Sequence, residues 1–225
     1  PPVTVPTADG RAFPVHRIYC VGRNYVDHAI EMGHTGREPP FFFLKPADTV
    51  LPVAAGTVGE MPYPTLTSNL HFEAELVVAL SKGGRDIAVE DAAQHIFGYA
   101  CGLDMTRRDL QNDMKKQGRP WCIGKGFEQS APIGPIHPIA DTGELTTGRI
   151  ELRVNGEVRQ GADLSQLIWN VAETIAALSQ AWDLQPGALI YTGTPAGVAA
   201  VVPGDTMDLR IDGLGSLVVR VAPRA

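Results

Sequence analysis

The 24 glycines and 18 prolines spread along 225 residues leave room for few long helices and force the chain into many short elements joined by turns. Helical periodicity is confined to residues 26–32, 89–95, 106–117 and 164–180. In the last stretch Leu164, Leu167, Ile168, Val171, Ile175 and Leu178 form one apolar stripe. Strand patterns fall at 18–21, 41–45, 73–80, 98–104, 150–154, 188–192, 206–211 and 217–221. Asn155-Gly156 separates 150–154 from 157–159, and both residues accept the positive φ that a two-residue hairpin needs. A second hairpin turn is expected at Asp212-Gly213. Strands outnumber helices without regular βαβ alternation, so the expected class is a β-rich α+β fold. No repeat, low-complexity stretch or linker divides the chain, residues 132–145 being the loosest, and one domain is expected.

Composition narrows the function classes. Hydrophobic residues make up 44% and charged residues 20%, as in soluble globular proteins. A net charge of -6 without a basic stripe argues against nucleic acid as a partner. It leaves small anionic substrates open, since a bound cation and local Arg or Lys reverse the sign within a site. No apolar run approaches the roughly 18 residues of a membrane span, and residues 1–10 lack the pattern of a secretory signal. A cytoplasmic protein without membrane partners is the expectation. Cys20, Cys101 and Cys122 are odd in number, without framework spacing, and read as buried reduced thiols.

The chemistry concentrates in His71-Phe72-Glu73-Ala74-Glu75 and, about thirty residues on, Leu103-Asp104-Met105-Thr106. On a strand, side chains alternate, so His71, Glu73 and Glu75 would share one face. Two converging carboxylates repel unless a positive charge lies between them. With Asp104 they form a set of hard oxygen donors suited to Mg²⁺ or Mn²⁺ rather than zinc. The plainer alternative is a solvated strand face plus a helix N-cap, since Asp104 precedes the helical pattern at 106–117.

Other residues suit a site around that set. Gly22-Arg23-Asn24-Tyr25 closes one strand and opens a helix on which His28 and Glu31 are neighbours at i and i+3. A carboxylate beside a His orients the imidazole and supports its protonated form, as a general base requires, although such a pair is also a common surface contact. Arg108 and Gln111 follow Asp104 at i+4 and i+7, on one helical face; a polar exposed face is the alternative. Lys125 between glycines and Lys45 after three aromatics are cations in apolar settings, and each suggests an anion nearby. The turn Thr192-Gly193-Thr194-Pro195 offers hydroxyls and backbone N–H groups to a carboxylate.

Taken in order, these segments resemble the fumarylacetoacetate hydrolase superfamily: Gly22-Arg23-Asn24-Tyr25 with His28 and Glu31, Phe43-Leu44-Lys45-Pro46, the Glu73 and Asp104 motifs, Lys125, and the turn continuing through Ala196-Gly197-Val198. The match runs from about Arg17, giving an N-terminal segment 1–16 and a catalytic domain 17–225. The resemblance implies a mixed β-sandwich roll, usually a homodimer, with Mg²⁺ or Mn²⁺ held by Glu73, Glu75 and Asp104. It implies a His28–Glu31 dyad that activates water on a short lid helix. Lys125 is then catalytic, while Arg23, Tyr25, Lys45, Arg108, Gln111 and Thr194 serve a small anionic keto acid. Cleavage of a 3-acylpyruvate is the implied reaction. Residues 37–43 and 106–111 look most similar to bacterial members acting on fumarylpyruvate in gentisate breakdown. A second substrate carboxylate would need a cation, and Arg23, Arg107 and Arg108 all qualify.

Two other readings stay open. The same ligand set would serve oxaloacetate decarboxylation, or tautomerisation or decarboxylation of dienoic diacids. A non-catalytic β-sandwich module could instead hold a structural Ca²⁺, though such a cation needs neither His28, Glu31 nor Lys125.

Overall fold

Every residue of the strand Ala74–Leu80 is buried, because both of its faces are covered. Its side chains alternate between two cores. Leu76, Val78 and Leu80 pack with Ile150, Leu152, Leu209 and Val219, whereas Val77 and Ala79 pack with Ile18, Cys20, Ile133 and Leu189. Each fully buried Val or Leu contributes about 1.5–3 kcal/mol, so this strand anchors both layers.

The computed structural model describes residues 3–26 and 37–224. Ala74–Leu80 lies inside an eight-stranded sheet ordered Phe41–Lys45, Ile18–Gly22, Leu189–Tyr191, Ala74–Leu80, Ile96–Leu103, Ala131–Ile133 and Val50–Pro52, with His137–Pro138 also paired to Ile96–Leu103. A five-stranded sheet, ordered Glu157–Asp163, Arg149–Val154, Thr206–Ile211, Gly215–Ala222 and Val58–Pro62, supplies the opposing apolar face. A small sheet joins Thr106–Arg107, Leu70–His71 and Ala200–Val201. The architecture is strand-rich α+β, as expected from the turn-laden sequence.

Both hairpin turns are present. Val154 pairs with Glu157 around Asn155-Gly156, and Ile211 pairs with Gly215 around Asp212-Gly213. Residues 3–16 are part of the fold. Thr4–Pro6 pairs with Ala12–Pro14, and Val5 and Phe13 are buried in the second core.

Three expectations need correcting. The pattern at 164–180 is two elements: a short 3-10 turn, Leu164–Gln166, and the helix Val171–Ala181. Asn170 starts the helix by accepting from Glu173 N, and the Glu173 side chain accepts from Asn170 N in return. Residues 89–95 form a 3-10 helix rather than an α-helix. Cys122 is exposed, unlike the buried Cys20 and Cys101. Beyond Val26, the helix expected at 26–32 lies outside the described residues. Among the described residues, no helix is long and apolar enough to cross a membrane.

Candidate active site

Glu73, Glu75 and Asp104 come together because two neighbouring strands end side by side. Ala74 pairs with Leu103 and Glu75 with Gly102, and Asp104 N donates to Glu73 O at 2.9 Å. All three carboxylates are buried, and one oxygen from each lies within 4.8 Å of the others. They do not sit on one continuous strand, as the sequence pattern implied. Leu70–His71 belongs to the small sheet, and the chain breaks at Phe72 and Glu73 before Ala74–Leu80 begins. His71 instead turns towards Asn69 Oδ1, 2.9 Å from its Nε2. Nor is Asp104 a helix cap: Thr106–Arg107 is a strand and the helix Arg108–Lys116 starts after it.

Three cations face these three anions. Lys125 Nζ donates to Glu73 Oε2 at 2.8 Å, Asp104 Oδ2 at 2.7 Å and Thr106 Oγ1 at 2.7 Å. Lys45 Nζ lies 2.9 Å from Asp104 Oδ1 and also donates to Met105 O, Lys125 O and Ser130 Oγ. Arg108 Nη2 pairs with Glu73 Oε1. Burial opposes the charge on Glu73, yet Lys125 and Arg108 hold its carboxyl well below the usual range. For Glu75 burial adds to repulsion from Asp104 and Glu73, and its carboxyl is pushed well above the usual range. Its one described hydrogen-bond donor is Gly193 N, at 2.9 Å. Burial also opposes the Lys125 ammonium, but Asp104 and Glu73 outweigh it and raise its pKa.

Glu75 is thus the carboxylate with least compensation, and it lines a cleft of about 380 Å³. Glu73, Lys125, Arg108, Gln111, Arg23 and Thr194 line the same cleft, with Phe41, Phe43 and Trp121 as its aromatic wall. Lys125 reaches it from the short helix Cys122–Lys125. Gly124 makes that approach possible, since a Cβ there would lie 2.9 Å from Gln111 N. Gln111 Oε1 accepts from Arg108 Nη1 at 2.6 Å. Gln160, from the five-stranded sheet, donates to Thr194 Oγ1 at 2.8 Å and leaves the hydroxyl proton for an acceptor.

The backbone at Arg23 is held in the left-handed region, with φ 57°. A non-glycine residue there costs roughly 1–3 kcal/mol and persists only when its surroundings over-determine it. The adjoining Asn24 supplies that constraint. Its Nδ2 donates to Thr192 O at 2.8 Å and Trp169 O at 2.9 Å, and its Oδ1 accepts from Trp169 N at 2.8 Å.

Two residues expected to touch substrate do not line this cleft. Lys45 is spent behind Asp104 on backbone carbonyls and Ser130, and Tyr25 is buried in the first core, pairing with Leu167. Arg107 also turns away: it stacks on Phe127 at 4.4 Å and lines a separate cleft with Tyr63 and Arg224. His28 and Glu31 lie outside the described residues. Sequence reasoning missed Gln160, because a lone Gln on an amphipathic strand carries no pattern. The Thr106 contact with Lys125 was signalled only by its place in the Asp104 motif.

The site's donors fit a hard divalent cation. They are three carboxylates with no sulfur, closely clustered, and cis or trans ligands of Mg²⁺ at about 2.1 Å lie no more than about 4.2 Å apart, close to the spacing of the triad.

The family model for the fumarylacetoacetate hydrolase C-terminal domain matches residues 17–222. A fumarylpyruvate hydrolase of Ralstonia sp is 44% identical, covering 83% of this chain and 94% of its own. The mitochondrial oxaloacetate tautomerase FAHD1 of Rattus norvegicus is 39% identical over 91% of this chain and 90% of its own. Among solved structures, fumarylpyruvate hydrolase from Pseudomonas aeruginosa, in complex with Mn²⁺ and pyruvate, superposes with a TM-score of 0.97 at 56% identity, covering 99% of this chain and 97% of that one.

Proposed function

The chain belongs to the fumarylacetoacetate hydrolase family, and within it we propose a hydrolase that cleaves a C–C bond of a 3-acylpyruvate, fumarylpyruvate above all, with Mn²⁺ or Mg²⁺ as cofactor. Charge is the observation that carries this reading. Three buried carboxylates are balanced by Lys45, Lys125 and Arg108. A divalent cation adds two positive charges to this balanced set and Arg23 in the same cleft a third, so the loaded site favours an anionic keto acid.

Glu73, Glu75 and Asp104 would hold the cation, which when bound supplies Lewis-acid stabilisation of negative charge developing on the pyruvyl oxygens. The chain's own groups do the rest. Thr194 Oγ1, oriented by Gln160, donates a hydrogen bond to the substrate carboxylate. Lys125 carries a held positive charge at the edge of the cleft, where charge collects as the bond breaks. His28, paired with Glu31 in the sequence resemblance, is assigned to take a proton from water as the oxygen adds to the acyl carbonyl. The bond from that carbon to the methylene then breaks, its electron pair passing to the pyruvyl half. A proton returns to the methylene carbon, giving pyruvate and the second acid.

The oxaloacetate chemistry named for the mitochondrial relatives is the second reading, and their 39% identity supports it. A panel of fumarylpyruvate, acetylpyruvate and oxaloacetate, followed by ultraviolet absorbance with product analysis, separates the two. The hydrolase reading expects the highest kcat/KM on fumarylpyruvate, with fumarate and pyruvate released. Turnover of oxaloacetate alone would replace it.

A further inference from the structure

The cleft also carries an aromatic wall and an arginine for which the cation chemistry has no use. There Gly22 ends the strand Ile18–Gly22, and the Phe41 ring lies flush on it: a Cβ at Gly22 would come within 2.0 Å of the ring. Trp121 meets Phe41 edge to face, with ring centroids 5.5 Å apart at 86°. Phe43 lies against the same indole at 5.8 Å. The three rings make a wall suited to a flat, conjugated chain. Above Phe41, at 5.1 Å from its centroid, stands the Arg23 guanidinium. Its backbone is in the left-handed conformation that Asn24 enforces, so its placement is built into the strand-to-helix turn.

Three arginines qualified from sequence for a second substrate carboxylate, and the geometry distinguishes them. Arg108 pairs with Glu73 and Gln111 at the carboxylate end. Arg107 lines a different cleft. Arg23 lines the cleft itself, on the aromatic wall. A guanidinium suits a carboxylate better than an ammonium because it donates in a planar fork.

We propose that Arg23 is the specificity-determining residue, receiving the distal carboxylate of an unsaturated acylpyruvate whose planar acyl chain lies along Phe41, Phe43 and Trp121. This rests on the acylpyruvate reading of the site. It makes the enzyme selective for acyl groups that end in a carboxylate, over acetylpyruvate, which has none.

The test is a ratio: kcat/KM on fumarylpyruvate divided by kcat/KM on acetylpyruvate, for the wild type, Arg23→Gln and Arg23→Lys. Loss of one charge-assisted contact lowers this ratio by about 50-fold in Arg23→Gln, chiefly through KM for fumarylpyruvate, with Arg23→Lys in between. An unchanged ratio in Arg23→Gln, with both substrates falling in parallel or neither falling, overturns the proposal. A second measurement needs no variant. On the wild type, the distal monomethyl ester of fumarylpyruvate keeps the shape and loses the charge, and its kcat/KM falls by a similar factor; an ester as good as the acid overturns the assignment. Failure of the underlying reading is distinguishable, because the wild type would then hydrolyse neither acylpyruvate.

Discussion

Gln160 Nε2 donates to Thr194 Oγ1 at 2.8 Å, and the same side chain accepts from Ala74 N at 3.0 Å and donates to Pro195 O at 2.7 Å. Ala74 lies between Glu73 and Glu75. One buried amide from the five-stranded sheet therefore fixes both the carboxylate pair and the turn that offers Thr194.

Replacing Gln160 with Leu would strand Ala74 N and Pro195 O in the core. Leaving buried groups unsatisfied costs about 1–3 kcal/mol each, so Gln160→Leu should lower stability by about 2–6 kcal/mol. Because the carboxylate pair loosens, Mn²⁺ affinity should also fall, by about tenfold, the lower end for loss of a group that orients metal ligands. Chemical denaturation with a Mn²⁺ titration checks both; wild-type midpoint and affinity would show that the amide positions nothing.

Glu73 carries two partners, Lys125 and Arg108, as well as its place in the triad. Glu73→Gln keeps the shape and removes one of three negative charges. Since ligand charge count sets affinity for hard cations, Mn²⁺ binding should weaken by about 100-fold or more, and turnover should fall with it. Electron paramagnetic resonance of bound Mn²⁺ follows the first effect independently of activity. A variant with wild-type affinity would remove Glu73 from the ligand set.

Lys45 tests a corrected expectation. Its ammonium is enclosed by Asp104, Ser130 and two backbone carbonyls, so Lys45→Met leaves Asp104 with one fewer buried partner. Breaking a buried pair by removing one member costs about 3–5 kcal/mol. The prediction is a large fall in unfolding midpoint. A stable Lys45→Met protein with a raised KM would return Lys45 to the substrate.

The strand pattern was readable because the apolar, strand-forming run at 73–80 and the two hairpin turns are local signals, and the structure places strands and turns there. The clustering of Glu73, Glu75 and Asp104 followed from the family resemblance, since spacing alone left a solvated face and a helix cap open, and the route was not readable. The pattern gave one continuous strand, whereas the chain breaks at Phe72 and Glu73, since residue types alone do not record where Leu70–His71 leaves for another sheet. Lys45 and Lys125 looked alike in sequence, each a cation in an apolar run. Only the register of Phe41–Lys45 against Ile18–Gly22 sends Lys45 behind Asp104, while Lys125 enters from a helix at the cleft. Gln160 left no trace, and Asn24 stood in a quoted motif without its role being legible, because buried amides that tie backbone together act across long sequence separations.

The most direct test of the central claim is metal dependence of C–C cleavage in the intact protein. The enzyme is stripped with a chelator and the chelator removed. Fumarylpyruvate is then supplied before and after Mn²⁺ is returned, with products followed by proton NMR and the fold by circular dichroism. The account predicts an unchanged fold, no turnover in the stripped protein, and equal amounts of fumarate and pyruvate once Mn²⁺ is restored. Full turnover by the stripped protein, or no cleavage with Mn²⁺ bound, would contradict it.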